Sequence, residues 1–137
     1  MKANELRIGN YVNRINRNNE VHLPDGITYV VQEIGFDCVI YPLGKNPATL
    51  SQMPIAYHND LSPISLTEDW LIKFGAFKET TNILILSRFK LIWKDKYKYW
   101  YVIDRNEETY YTKLEFLHEF QNLYFALNGE ELKLSNK

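Results

Sequence analysis

Residues 112–132 read TKLEFLHEFQNLYFALNGEEL, and everything expected around them depends on how they fold. Thr112 followed three places later by Glu115 has the form of a capping box, and Asn128-Gly129 supplies a left-handed stop. The stretch is expected as one capped amphipathic helix. At about 100° per residue, Phe116, Leu117, Leu123, Tyr124 and Leu127 fall within about 60° of Phe120, a core-facing stripe. Burying such side chains contributes roughly 1.5–3 kcal/mol each, while ordering each residue costs on the order of 1–2 kcal/mol in backbone entropy. The helix therefore needs a sheet to lie on. On its far side cluster Phe125, His118 and Asn122, about 140–200° from Phe120. Either a second element covers Phe125, or these three residues form a contact patch for another protein.

The expected floor is the run before the helix. Ile83 to Trp93 alternates, with Ile83, Ile85, Phe89, Leu91 and Trp93 on one face and Arg88, Lys90 and Lys94 among those on the other. Lys94-Asp95-Lys96 then turns the chain into Tyr97 to Ile103, where Tyr97, Tyr99, Tyr101 and Ile103 line one side and Lys98, Trp100 and Val102 the other. Short strands are expected at Tyr110-Tyr111 and at 131–134. Upstream, Thr67-Glu68-Asp69-Trp70 opens a short helix capped by Thr67 or Ser65, stopped at Gly75, with Trp70, Leu71 and Phe74 buried.

The first half of the chain reads differently. Leu6 to Val12 is an extended lead-in with a glycine turn into a strand running to about Ile15. Pro24-Asp25-Gly26 and Gly35-Phe36-Asp37 bracket the β-branched run 27–34, and Cys38 to Leu43 follows, giving a three-strand meander. Glycine before an apolar strand, as in IGNYV, resembles the opening of small β-barrels of the Src-homology-3 or KOW type. Residues 44–65 carry Pro47, Pro54 and Pro63, so they form either an edge segment and linker or a functional loop, within which 51–57 has the pattern of a closing strand.

A chain of 137 residues with 45% apolar content has ample core for one domain or two small modules. Its formal charge of -1 exerts no global pull on nucleic acid or anionic membrane, so electrostatics must be local. Residues 83–105 hold six Lys/Arg against two Asp/Glu, and 106–137 hold three against six. The single Cys38 excludes an internal disulfide and suits a reducing cytoplasm. No stretch has the apolar length of a membrane span, so a cytoplasmic protein without a membrane partner is expected.

Catalytic and cofactor patterns fail one by one. His118-Glu119 begins the zinc-protease signature, but position 122 is Asn where a second imidazole is required. His22 and His58 have no Cys or His at ligand spacing, and Gly26, Gly35 and Gly44 are isolated turn residues with no phosphate loop among them. Cys38 lies in an apolar run beside Asp37, which opposes a reactive thiolate. No enzyme, metal or cofactor is expected. Lys94 to Tyr101 is the one stretch with binding chemistry. Lys94, Lys96 and Lys98 interleave with Tyr99 and Trp100, as a single-stranded nucleic-acid binder would need, though a half-buried strand has the same alternation.

Three blocks together carry a resemblance: ELRIGNYV at 5–12, PISLTEDWLIKFGAF at 63–77 and HEFQNLYFALNGEEL at 118–132. They resemble a family of uncharacterised small bacterial and prophage-encoded proteins that begin ELRIGN and carry LTEEWL and LQNLYFALTGEEL blocks. This chain has Phe120 for the usual leucine, Asn128 for threonine, and an insertion around 44–62. The resemblance implies phage or mobile-element origin and supplies no catalytic residue. It further implies an accessory protein acting by stoichiometric binding of another protein, such as a host-defence nucleoprotein.

The expectation is thus an α+β protein. Residues 1–64 form a small β-barrel-like module, and 65–137 a short helix, an antiparallel aromatic hairpin and a long C-terminal helix packed on it. Protein contact is assigned to Phe125, His118, Asn122 and the 44–62 loop. The alternative is nucleic-acid binding through Lys94, Lys96, Lys98, Tyr99 and Trp100.

Overall fold

Gly9 and Asn10 begin the first sheet. Gly9 takes φ +97°, a left-handed value that costs glycine little, and buried Asn10 accepts the Arg7 N–H at its Oδ1 (2.7 Å). The turn so closed pairs directly with the next strand, for the Gly9 N–H donates to Val31 O (2.8 Å) and the Val31 N–H to Asn10 O (3.0 Å). In the computed structural model, which describes residues 5–14, 27–35, 38–45, 55–56, 60–105 and 109–135, the chain divides into two compact units, Met1–Ile64 and Ser65–Lys137.

The first unit is one antiparallel sheet. Its strands are β1 (Tyr11–Arg14), β2 (Tyr29–Ile34), β3 (Cys38–Pro42), β4 (Ile55–Ala56) and β5 (Leu61–Ser62), in the order β4-β3-β2-β1-β5. Alternate residues of the central strands bury Val12, Tyr29, Val31, Cys38 and Ile40, and Leu61 joins them from β5. Cys38 is therefore a core thiol. The two edge strands, β4 and β5, do not pair with each other among the described residues. The turn expected at Pro24-Asp25-Gly26, and most of the 44–62 loop, lie outside the described residues.

In the second unit, β6 (Phe77–Thr80), β7 (Ile83–Leu86), β8 (Phe89–Lys94), β9 (Tyr99–Asp104) and β10 (Thr109–Leu114) form a sequential meander. The run 83–93 is thus two strands rather than the one its alternation suggested. Ser87 at φ +55° starts a two-residue turn, with Leu86 opposite Phe89. Asp104, fully buried, receives the Arg88 guanidinium, and the Arg105 N–H donates to Arg88 O (2.8 Å), tying this turn to the end of β9. Because the break shifts parity, Leu84 and Leu86 share a face with Phe89 and Leu91, and Ile83 and Ile85 fall on the other.

The largest correction concerns the helix. Thr112, Lys113 and Leu114 pair with Val102, Tyr101 and Trp100 as the end of β10, and α2 spans only Leu117–Asn128. Thr112 caps nothing. Instead the Glu119 carboxylate accepts from the N–H groups of Glu115 (3.0 Å) and Phe116 (2.9 Å), the acidic half of a capping box whose N-cap, Phe116, has no side-chain acceptor. The stop is where the pattern put it, with Gly129 at φ +74° donating to Phe125 O (2.9 Å). Leu117 and Phe120 are fully buried, and Phe120 meets Phe89 edge-on at 5.8 Å. The buried arc also takes in His118 and Gln121, which a polarity pattern assigns to solvent.

The short helix α1 (Glu68–Lys73) starts at Thr67, whose Oγ1 accepts from the Trp70 N–H (3.3 Å), and gives way to Gly75 at φ +101°. Leu71 and Phe74 are buried, while Trp70 is half-buried and stacks on Phe74 at 6.0 Å. No strand forms at 131–134. There Leu132 is buried, and Ser135 donates its N–H to Lys73 O (2.7 Å). No helix among the described residues is long and apolar enough to cross a membrane.

Candidate nucleic-acid interface

Register decides what each face of the second sheet presents. Directly opposed residues of an antiparallel pair share a face, so Leu84, Leu91 and Val102 stand in one row, and Trp93, Trp100 and Leu114 in another. This is the face on which Phe89 meets α2. The face turned away from α2 carries the rows Ile85, Lys90, Ile103 and Ile83, Ile92, Tyr101, Lys113, with Lys94 opposite Tyr99 at its end.

The away face holds an aromatic ladder. Tyr99 meets Tyr101 edge-on at 5.2 Å, their hydroxyls are 3.2 Å apart, and Tyr97 stacks on Tyr99 at 5.6 Å and 13°. Three ammonium groups sit over these rings: Lys94 over Tyr101 and Lys113 over Tyr99, each at 5.2 Å, and Lys96 over Tyr97 at 5.4 Å. Tyr97 is 59% exposed, whereas Tyr99, Tyr101, Lys90 and Lys94 are half-buried. Extended backbone puts Tyr99 and Tyr101 on one side of β9, and the hairpin turn brings Tyr97 onto Tyr99, with the cations over the rings. Such a surface can stack bases and neutralise phosphates.

The residues expected from the sequence are divided by this geometry. Lys94, Lys96 and Tyr99 come together on the ladder. Trp100 does not, because neighbours in a strand point to opposite faces. It is buried against the helix side, its indole N–H donating to Leu66 O (2.8 Å). Lys98 lies on the hairpin turn at φ +59° and pairs with Asp95 (2.9 Å). That hydrogen bond, with a second from the Trp93 indole (3.3 Å), holds the Asp95 carboxyl below the usual carboxylate range. Sequence reasoning omitted Tyr97 and Tyr101 from the site, although their spacing from Tyr99 was the available signal. It had no means of finding Lys113, which β10 brings in.

The protein-contact patch is also divided. Phe125 is 39% exposed and Asn122 half-buried, but His118 is buried and stacks against Phe116 at 6.1 Å, which removes it from any surface. The three sequence blocks of the family resemblance coincide with fold-determining turns: Gly9 and Asn10, the Thr67 cap, and α2 with its Gly129 stop. No known family model, curated protein or solved structure matches the chain.

Proposed function

We propose that the protein acts by binding, without catalysis, and that its ligand is single-stranded nucleic acid held on the away face of the second sheet. The observation that supports this is the Tyr97, Tyr99, Tyr101 ladder with Lys94, Lys96 and Lys113 poised over its rings. Base–aromatic stacking is worth about 1–3 kcal/mol per base, so Tyr101→Ala should weaken binding roughly 5- to 150-fold. Each lysine that meets a phosphate adds about 0.7 to the steepness of the salt dependence for a single strand. Anisotropy of a labelled oligonucleotide, followed from low to high salt, tests both. Lys113→Ala should flatten the slope by about that amount. Absence of binding at low salt, or equal binding by wild type and Tyr99→Ala/Tyr101→Ala, would sink the proposal.

Binding of another protein is the second reading, favoured by exposed Phe125 on α2. Under it, Phe125→Ala would weaken a purified complex while barely changing the melting temperature. The prophage or mobile-element origin, and a host-defence nucleoprotein as partner, belong to this proposal and rest on the sequence blocks alone. We read the first unit as barrel-like, since the order β4-β3-β2-β1-β5 places at its edges the two strands whose pairing would close it.

A further inference from the structure

On the helix side of the second sheet, beyond the start of α2, lies a cavity of about 400 Å³. Trp93, Trp100 and Phe116 form its aromatic walls, and Glu68, Glu115 and Lys98 also line it. We propose that it is a binding site for a small organic ammonium ion. The volume is within the usual range for small-molecule pockets.

Each aromatic wall is held by a separate contact. Trp100 is fixed by its indole bond to Leu66 O (2.8 Å), Trp93 leans on it with ring centroids 5.1 Å apart at 53°, and Phe116 is stacked on buried His118. The two tilted indoles make a corner whose faces are electron-rich. The nitrogen donors of its tryptophans and its lysine are already committed to internal partners. The Trp93 indole N–H and the Lys98 ammonium both go to Asp95, and the Trp100 N–H to Leu66. Lys98 thus enters as half of a pair, and Glu68 is matched by Lys78 at 2.7 Å. Exposed Glu115 has no ion pair among the described residues, and its backbone N–H is held by Glu119 (3.0 Å). Ring faces plus one uncompensated carboxylate select a cation over a neutral or anionic ligand. Position supports the same choice, since a phosphate here would meet Glu115.

The indole N–H resonances of the three tryptophans test this, with Trp70 outside the cavity as internal control. The probes are choline, its neutral isostere 3,3-dimethyl-1-butanol, and uridine. Choline should shift Trp93 and Trp100 saturably, leave Trp70 unmoved, and bind about tenfold tighter than the isostere. Trp93→Leu should abolish that preference, and Glu115→Gln, on an exposed residue that leaves the fold intact, should reduce it several-fold. Equal affinity for choline and the isostere would make the cavity merely apolar. Shifts with uridine but not choline would make it a base site, and no saturable shift with choline would leave it empty of function; each overturns the proposal. The cavity and the tyrosine ladder lie on opposite faces, so either can fail without the other.

Discussion

The two faces of the second sheet are built from the same strands, with alternate residues of β8 and β9 going to each side, and they are used differently. The helix side buries Leu84, Phe89, Leu91 and Val102 completely, and seats Phe120 of α2 on Phe89. The away side buries Ile85 but leaves Ile83, Ile92, Tyr99, Tyr101 and Ile103 half-buried, and adds lysines over its rings. Both faces are rich in apolar atoms. What separates them is α2, which covers Phe89 on one side, so that side chains of similar chemistry are fully buried there and, Ile85 apart, only half-buried on the other.

Substitutions can break this contrast. Phe89→Ala should have the largest effect, since the ring is fully buried against Phe120 and Tyr124, and should cost about 3–5 kcal/mol, enough to lower the melting temperature by well over ~10 °C. Tyr101→Ala, on the away face, should cost under about 1 kcal/mol. Comparable losses from the two would show that the away face is a core. Arg88→Ala should cost about 3 kcal/mol, because it takes the guanidinium away from the buried Asp104 carboxylate. Adding Asp104→Asn should recover part of that loss in denaturant titrations, whereas additive losses would argue against the pair.

A smaller effect is expected at the start of α2. Glu119→Ala removes the acceptor for two backbone N–H groups and should cost about 1 kcal/mol, with Glu119→Gln retaining most of the stability. The smallest concerns Asp95. Its carboxyl is held low by Lys98 and Trp93, so whatever the contact stabilises is present at neutral pH and lost as pH falls through the lowered value. A proton-coupled shift of the Trp93 indole resonance in the acid range, absent in Asp95→Asn, is the expected sign.

Several of these features were legible in the chain. The Thr67 cap, the Gly75 and Gly129 stops, the β-rich opening half and the alternation of Tyr97, Tyr99 and Tyr101 all express preferences satisfied within a turn or two of backbone. The Ser87-Arg88 turn escaped because neither residue is the Gly, Asn or Asp that a positive-φ hairpin turn favours, and the alternating run continued across it with its parity reversed. Thr112-x-x-Glu115 matched a capping box by composition, yet its residues lie where strand pairing with β9 continues, and tertiary hydrogen bonding prevailed over the local pattern.

The sequence by itself therefore determined an α+β chain with a lysine-and-aromatic hairpin and a C-terminal helix stopped at Gly129. Capping, turn geometry and side-chain alternation are short-range, and each can be read from a few neighbours. Only the tertiary structure decided which alternating set met the helix, that Trp100 and His118 were interior, and that Lys113 stood over Tyr99. The strand outcomes depend on the register between paired strands, where a one-residue slip exchanges the faces, and that of His118 on how α2 packs.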